Sequence, residues 1–504
     1  MSRSYYLAIS AFIFIAVTLM GCDSGLSGNF VENQPPVTNL TVERINRGED
    51  FRLSSQINIS WWGSDPDGFV VGFEYAINDT SEGAWKFTTK SDSTFILPIN
   101  GGQNTDDVLF KVRAVDNEGA KDPIGAKLIY PIVNSEPEVS FNINETPPDS
   151  MFAISSFGWT VSDPDGFLNI RSTEIAINDT VNGWVEIPFS EENDGKVFIS
   201  LEYDNTTTGI KVANTFLGRS YRSALDNSGE LIRVPNIEVG AKNTAFIRTT
   251  DAAGAISEVD TVSWFVKPQN SKVLFINDIE GTSALTKQSL HLSYLEANGI
   301  FPDVWLINSG GTGLSEQFPS VIDPTLQKTL AKWDHIYWIS NSIARNITFA
   351  LDITTQFFAD GGTMFVNIPM SPTIVNQELE LFNFLPIDSI GYVDPNKLET
   401  GFIINNNTEV VGLEGAPTLL TQNRQTGIYP LKPLPGASLL YETDFKASTV
   451  IGTINDYTRF EGVGIENSEG NLIYFGMDIT LLNGNGNLDE FIDYVGVQRL
   501  GFSN

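Results

Sequence analysis

The sequence predicts a multidomain chain in which two all-β sandwiches are followed by a three-layer α/β domain. Three observations support this. A pair of motifs recurs about 100 residues apart in the first half of the chain. Short alternating apolar stretches separated by turn residues surround both copies. After residue 270, continuous apolar runs alternate with segments of helical periodicity, which is typical of a parallel sheet with right-handed crossovers.

The repeat defines two β modules, residues 36–133 and residues 134–268. Both copies contain Ser-Asp-Pro-Asp-Gly-Phe (64–69 and 162–167), Ala-Ile-Asn-Asp-Thr (76–80 and 176–180), and then Trp85 or Trp184. A later motif, Arg-x-x-Asp-x-x-Gly-Ala, begins at Arg113 and Arg248, which are displaced by 135 residues. The larger displacement predicts an insertion in the second module, which we place in the polar, irregular stretch 203–235.

Alternating apolar residues predict the strands of the first module. They are Ile57–Trp62, Val70–Ile77, Trp85–Thr89, Thr94–Pro98, Val108–Val115 and Ala126–Ile132. A Trp on an early strand, a Pro-Asp-Gly turn and the stretch Val-Arg-Ala-Val-Asp-x-x-Gly (112–119) resemble fibronectin type III and related immunoglobulin-like repeats. The resemblance covers about residues 36–267 and implies immunoglobulin-like sandwiches. The tyrosine that such modules often carry early in the late strand is absent, with Val108 near its place.

Residues 269–504 follow a different pattern. The apolar run Lys272–Asn277 predicts a strand covered on both faces, and Thr282–Asn298 predicts a helix that ends at Gly299. The remaining predicted strands are Val304–Ile307, His335–Ile339, Thr363–Ile368, Ser438–Tyr441, Thr449–Ile454, Gly462–Glu466 and Asn471–Gly476. The remaining predicted helices lie near Pro324–Ala331, near Thr348–Ala359 and at Leu488–Val495.

Three stretches of this region, Lys332–Ser340, Phe358–Val366 and Asn471–Asp478, resemble the class I glutamine-amidotransferase-like fold, which has a flavodoxin-like sheet. In active members a cysteine follows the strand corresponding to Thr363–Ile368, and a His-x-Glu follows the strand corresponding to 472–475. This chain has Pro-Met-Ser (369–371) and Gly-Met-Asp (476–478) there. Its only cysteine is Cys22 and its only histidines are His291 and His335, so amidotransferase chemistry is not expected.

The N-terminus has the plan of an export signal. Arg3 is followed by an apolar run from Tyr6 to Met20, which is shorter than the roughly 20 residues of a membrane-spanning helix. The ending Leu19-Met20-Gly21-Cys22 resembles the bacterial lipobox, which implies that Cys22 is acylated and that residues 1–21 are removed. Residues 22–35 would then be a polar tether, and the lipid would anchor the chain in the cell envelope, at its periplasmic face or on the cell surface.

The formal charge of −32 argues against a nucleic-acid partner, because phosphate recognition needs clustered lysine and arginine. Calcium is the one cofactor that the sequence suggests, because paired carboxylates lie on tight turns at Asp65 and Asp67 and at Asp163 and Asp165. The topology of a sandwich would bring Asp116 and Glu118, or Asp251, towards them. The alternative reading is structural: proline sets φ, aspartate caps the turn and glycine takes a positive φ. Both interpretations of these turns, a calcium site and a structural turn, stay open, and the structural one is favoured.

A ligand of the C-terminal domain is expected at the carboxyl edge of its parallel sheet. Candidate residues there are Ser340, Ser342, Ser371 and Asp478. The favoured function is a non-enzymatic binding or structural lipoprotein of the envelope, with a protein or glycan ligand. The alternative is an extracytoplasmic hydrolase of glycan or peptide that uses serine or carboxylate groups not identifiable in the sequence.

Overall fold

The computed structural model describes residues 32–42, 52–99, 103–189, 195–307, 318–343, 346–370 and 383–503. The predicted signal peptide, Cys22, most of the tether and Ser371 lie outside these residues. The chain divides into two compact units, Met1–Ser135 and Glu136–Asn504.

The first unit is a β-sandwich. Its strands are β1 (Val37–Val42), β2 (Leu53–Ser54), β3 (Gln56–Ser64), β4 (Val70–Ile77), β5 (Lys86–Thr88), β6 (Asp92–Ile96), β7 (Thr105–Asp116) and β8 (Ala126–Val133). They form a sheet of order β1-β3-β6 and a sheet of order β2-β8-β7-β4-β5. A strand lies at each of the six positions that alternation predicts.

The core of this sandwich lies between the two sheets. Along β7 buried side chains alternate with partly exposed ones, because successive residues of a strand point to opposite faces. Trp61 on β3 is almost fully buried and crosses the space between the sheets. Its ring centroid lies 6.3 Å from that of Phe73 on β4 and 6.0 Å from that of Phe110 on β7.

The second module repeats this topology at the start of the second unit. Its strands are β9 (Glu138–Phe141), β10 (Ser150–Met151), β11 (Ile154–Ser162), β12 (Ile170–Ile177), β13 (Val185–Ile187), β14 (Lys196–Glu202), β15 (Gly209–Leu217), β16 (Arg222–Ser223), β17 (Arg233–Val239), β18 (Lys242–Asp251) and β19 (Asp260–Val266). The sheet β10-β19-β18-β12-β13 corresponds in order to β2-β8-β7-β4-β5. The neighbours β9, β11 and β14 correspond to β1, β3 and β6. The duplication seen in the motifs is therefore also a duplication of strand order.

The extra residues of the second module form strands. β15, β16 and β17 lie between β14 and β18 in the chain, and β15 pairs with β14, β16 and β17. The stretch that the sequence marked as irregular therefore extends one sheet of the sandwich. Alternation was hard to detect there because one face of β15 is exposed and carries Ile210 and Val212, apolar residues that ordinarily predict a buried face.

The rest of the second unit is a large mixed sheet with a smaller sheet beside it. Its strands are β20 (Val273–Asp278), β21 (Asp303–Leu306), β22 (His335–Ser340), β23 (Thr363–Asn367), β24 (Ile387–Ile390), β25 (Glu399–Ile404), β26 (Glu409–Gly412), β27 (Leu419–Leu420), β28 (Gln425–Thr426), β29 (Leu431–Pro433), β30 (Ser438–Thr443), β31 (Lys446–Thr449), β32 (Ile454–Asp456), β33 (Gly462–Glu466) and β34 (Leu472–Phe475). Its α-helices are α1 (Ala284–Ala297), α2 (Gln327–Leu330), α3 (Ala350–Ala359) and α4 (Leu488–Ile492).

Five neighbouring strands of the large sheet, in the order β21-β20-β22-β23-β34, are parallel. Nearly every residue of β20, β22, β23 and β34 is buried, as expected for parallel strands that are covered on both faces. Antiparallel strands β33, β30, β26 and β27 continue the sheet beyond β34. The smaller sheet has the order β28-β25-β31-β32.

Three predicted elements of this region differ from the structure. The predicted strand Thr449–Ile454 is wrong: Thr449 ends β31, Ile454 begins β32, and residues 450–453 form the turn between them, where Gly452 has a φ of +82°. The helix predicted near Pro324–Ala331 is regular only in α2, after a wider turn at Ile322–Leu326. The closing helix is regular only to Ile492 and continues as a wider helical segment, Asp493–Arg499.

The second module and the C-terminal region share one hydrophobic core. Phe152 of the module lies edge-on to two indole rings, 5.3 Å from Trp305 and 4.8 Å from Trp333 between centroids. The insertion also takes part. The Arg219 guanidinium donates to the main-chain oxygen of Asp323 (3.3 Å), and Lys328 lies over the ring of Tyr221. Packing is therefore continuous across residue 268, where the module was expected to end.

Candidate functional site

The carboxyl edge of the parallel strands brings several polar side chains together. β20 ends at Asp278, β22 at Ser340 and β23 at Asn367, and Asp478 lies just beyond β34. The chain leaves β20 towards β21 on one side, while β22 pairs with β20 on the other. In an open parallel sheet such a change of direction leaves a crevice beside the strand ends, which is the usual place for a ligand.

Ser340 is held by the main chain at this edge. Its hydroxyl lies 3.1 Å from the carbonyl oxygen of Asp278 and 3.0 Å from that of Ser342, and it accepts from the Ser342 N–H at 3.2 Å. The side chain is almost fully buried. These contacts tie the end of β22 to the end of β20, so the hydroxyl predicted as a ligand group serves the local structure.

Asp278 and Asn346 are edge residues that the sequence analysis missed. The fully buried carboxylate of Asp278 accepts from the Asn346 side-chain amide at 2.7 Å. Nearby, the side chain of Asn341 exchanges two hydrogen bonds with the main chain of Glu280. Asp278 directly follows the apolar run at Lys272–Asn277. Like Ser340 and Asp478, it is therefore a polar residue at the carboxyl end of a predicted strand.

Asp478 is paired and mostly buried. Its carboxylate lies 2.6 Å from the ammonium of Lys287 on α1 and accepts from the Thr480 N–H (3.0 Å) and hydroxyl (2.6 Å). Burial alone would raise the pKa of Asp478, but Lys287 and the Thr480 hydroxyl outweigh it and hold the pKa below its usual range. The carboxylate therefore stays ionised and engaged at neutral pH.

His291, on α1, lies close to this pair. Its Nδ1 is 2.9 Å from the hydroxyl of Tyr337, and the ring is nearly inaccessible to solvent. Burial lowers the pKa of His291 to about 4, against the opposing effect of the Asp478 charge. The imidazole is therefore neutral in the physiological range and belongs to the core of the sheet.

The residues that follow β23 hold a buried apolar side chain. Met370, after β23, is almost fully buried, and its N–H donates to the carbonyl oxygen of Gly476 at 3.1 Å. The Asn367 side chain donates to the carbonyl oxygens of Phe475 and Met477. The ends of β23 and β34 are thereby joined, and Ser371, the next candidate, lies outside the described residues.

In the first module, three of the four candidate calcium residues lie near one another. Asp116 accepts from the main-chain N–H groups of Glu118 and Ala120 at 2.9 and 2.8 Å, and the side chain of Glu118 is exposed. Burial raises the pKa of Asp65, and the carboxylates of Asp67 and Asp116 add to the shift. These carboxylates are therefore close enough to repel one another.

Gly68 and Gly166 occupy the same place in the two Asp-Pro-Asp-Gly turns for different reasons. Gly166 has a φ of +106°, as the turn chemistry predicts. Gly68 is not in the left-handed region; instead a Cβ there would lie 2.3 Å from Oδ1 of Asn117. In the first module, glycine therefore leaves room for the side chains of Asn117 and Asp65.

In the second module the corresponding carboxylates of Asp163, Asp165 and Asp251 are buried. Asp163 accepts from the Asp165 N–H at 2.7 Å and from the Asn169 amide at 3.0 Å. Burial raises the pKa of Asp163 to about 6, and the charges of Asp165 and Asp251 contribute. Across the described parts of the chain, no three His, Cys, Asp or Glu side chains are grouped so as to hold a metal ion. Calcium binding stays a prediction.

Asp163 makes stability depend on pH. Because its pKa is about 6 in the folded chain and about 4 in an unfolded one, the folded state binds the proton more tightly. We expect the stability of the second unit to rise as pH falls from 7 to 5, by on the order of 1–3 kcal/mol from this group. Denaturant titrations of the wild type and Asp163→Asn should show a smaller rise in the variant; equal rises would contradict the assignment.

The other repeated motifs have structural roles. In both modules the arginine of the late strand pairs with a glutamate across the sheet: Arg113 with Glu74 at 2.7 Å, and Arg248 with Glu174 at 2.7 Å. The same guanidinium groups lie 4.0 Å from the ring centroid of Trp85 and 4.2 Å from that of Trp184. Asn78 and Asn178 of the Ala-Ile-Asn-Asp-Thr motif both have positive φ, which asparagine tolerates well. The residues that the two copies share therefore make the same structural contacts in both modules.

No protein-family model matches the sequence, and no curated protein matches it. Among solved structures, the fibronectin(III)-like modules of Clostridium thermocellum CbhA are 17% identical, covering 46% of this chain and 95% of that one, with a TM-score of 0.16. The D00-D0 domain of intimin is 11% identical over 45% of this chain and 99% of that one, with a TM-score of 0.13. The central fibronectin-III array of RIM-binding protein is 11% identical over 45% and 96%, with a TM-score of 0.14.

The β-sandwich fold of both modules is shown by the pairing of their strands. Among the residues that the structure describes, no helix combines the length and the apolar character needed to cross a membrane.

Proposed function

We propose that this chain is a lipid-anchored envelope protein that binds or supports a partner and has no amidotransferase activity. Its β modules would be of the immunoglobulin or fibronectin type III kind, and its C-terminal region a degenerate, flavodoxin-like amidotransferase domain. One observation carries the proposal. At the carboxyl edge, the polar side chains of Ser340, Asn367 and Asp478 are engaged with the protein itself, and the position after β23 is occupied by buried Met370.

The full chain tests this directly. We expect no hydrolysis of peptide, amide or glycan substrates, together with stabilisation of the chain by one class of compound in a thermal-shift screen. Turnover that a single substitution abolishes would contradict the proposal and favour a hydrolase. Asp478→Asn and Ser340→Ala are the informative variants, with Lys432→Met, in an exposed ion pair, as the control.

Lipid attachment is tested at Cys22. Cells expressing the chain and grown with an alkyne analogue of palmitate should label it, because the thiol and the amino group of Cys22 would carry the acyl chains. Replacing Cys22 with serine should abolish the label, since serine offers no thiol for the acyl chain. Ser24→Ala is the matched control. Undiminished label in Cys22→Ser would contradict the assignment.

A further inference from the structure

We propose that a cavity beside the carboxyl edge binds a small, uncharged and mainly apolar molecule; this rests on the proposed binding function and names its ligand. The cavity has a volume of about 300 Å³. Its lining includes Ile307, Leu326 and Ile353 together with the aromatic rings of Phe318 and Phe349.

The position of the cavity connects it to the edge of the sheet. Ile307 directly follows β21, and Asn346, which also lines the cavity, donates to Asp278 at the end of β20. The cavity therefore lies beside the point where the chain changes direction between β20 and β21. Parallel sheets place ligands at this point because the loops diverge there.

The aromatic wall is held in place by the core. The ring of Phe318 packs edge-on against Trp305, with centroids 4.9 Å apart, and against Trp338 at 5.7 Å. Both tryptophans are fully buried. Phe349, which directly precedes α3, also lines the cavity and remains 48% exposed. One wall is thus fixed before a ligand arrives, while the other presents apolar surface to solvent, and both features favour an apolar ligand.

The lining also decides the charge of the ligand. Among the lining residues that the structure describes, none has a charged side chain, and the polar side chains are those of Ser320 and Asn346. An ion entering such a site would lose its hydration without gaining a counter-charge, which is strongly unfavourable. The volume is at the lower end of the range for ligand sites, roughly 300–1,000 Å³. A molecule with one or two rings, or a short acyl chain, fits these limits, with one hydrogen bond to the amide or the hydroxyl.

The uncharged two-ring dye 6-propionyl-2-(dimethylamino)naphthalene is a suitable probe, because its emission shifts to shorter wavelength when it leaves water. We expect saturable binding to the full chain and about tenfold weaker binding to Phe349→Ala, equivalent to about 1.4 kcal/mol. Phe301→Ala is the matched control: Phe301 is also exposed but lies outside the cavity lining, and its replacement should leave binding unchanged. A second variant, Ser320→Trp, places bulk at the exposed rim and should also weaken binding without disturbing the core.

Absence of dye binding, or equal binding by the wild type, Phe349→Ala and Ser320→Trp, would overturn the assignment of this cavity. Stabilisation of the chain by a charged or strongly polar compound, with no dye binding, would overturn the assignment but leave the proposed binding function standing. Substrate turnover abolished by a point substitution at the sheet edge would instead overturn the proposed function.

Discussion

Replacing Phe152 with alanine is expected to destabilise the second unit by about 3–5 kcal/mol, the usual cost of removing a buried phenylalanine. The side chain is only 1% exposed and packs against Trp305 and Trp333 across the junction between the second module and the C-terminal region. The ammonium of Lys267 also lies 4.9 Å from the centre of the Phe152 ring. Alanine would leave a cavity between the two indoles and remove contacts that hold the module against the sheet.

The measurement is the midpoint of urea-induced unfolding of the full chain, followed by tryptophan fluorescence. Phe301→Ala is the control, because the same substitution at an exposed phenylalanine should change stability by less than about 0.5 kcal/mol. A loss of stability as small as that of the control would contradict a core shared by the second module and the C-terminal region.

Replacing Lys287 with methionine is expected to cost about 3–5 kcal/mol at neutral pH, because it leaves the carboxylate of Asp478 buried without its counter-charge. Methionine keeps the length and the apolar stem of the lysine, so the loss measures the charge and not the packing. Lys432→Met is the matched control: its ion pair with Asp388 has nearly the same length, 2.7 Å against 2.6 Å, but both side chains are substantially exposed. Exposed pairs contribute about 0–1 kcal/mol.

The pH dependence separates this explanation from a packing defect. In the wild type the pKa of Asp478 is lowered, so its contribution is present above pH 4 and is lost as pH falls through the lowered value. In Lys287→Met the unpaired, buried carboxyl should have a raised pKa, and this group should then add stability as pH falls. We therefore expect the stability difference between wild type and variant to shrink below pH 5. A constant difference, or one no larger than that of Lys432→Met, would contradict the assignment.

Local patterns predicted the first module well. Its strands are exposed on one face, so alternation is visible, and each module is closed by turns rich in proline, glycine and aspartate. The strand predicted at Thr449–Ile454 is wrong for a different reason. Val450 and Ile451 are apolar residues at an exposed turn, and apolar character alone cannot distinguish such a turn from a strand.

The candidate site was predicted only in part, because the sequence places residues at strand ends but not the partners that engage them. Ser340 and Asp478 lie at the expected edge, yet each is held by groups distant in the chain: Asp478 by Lys287, 191 residues away, and Ser340 by Asp278, 62 residues away. The apolar cavity was missed for the same reason. The described residues of its walls come from three separate segments, none of which is unusual in composition.

The sequence by itself determined the duplication of the modules, the strands of the first module, and the absence of a cysteine nucleophile after Cys22. Such features depend on local order and composition, which a single chain displays directly. The tertiary structure alone decided that the second module and the C-terminal region form one unit, that the edge hydroxyl and carboxylate are already engaged, and that an apolar cavity lies beside them. Each of these depends on contacts between residues far apart in the chain, and side-chain packing, not periodicity, selects those contacts.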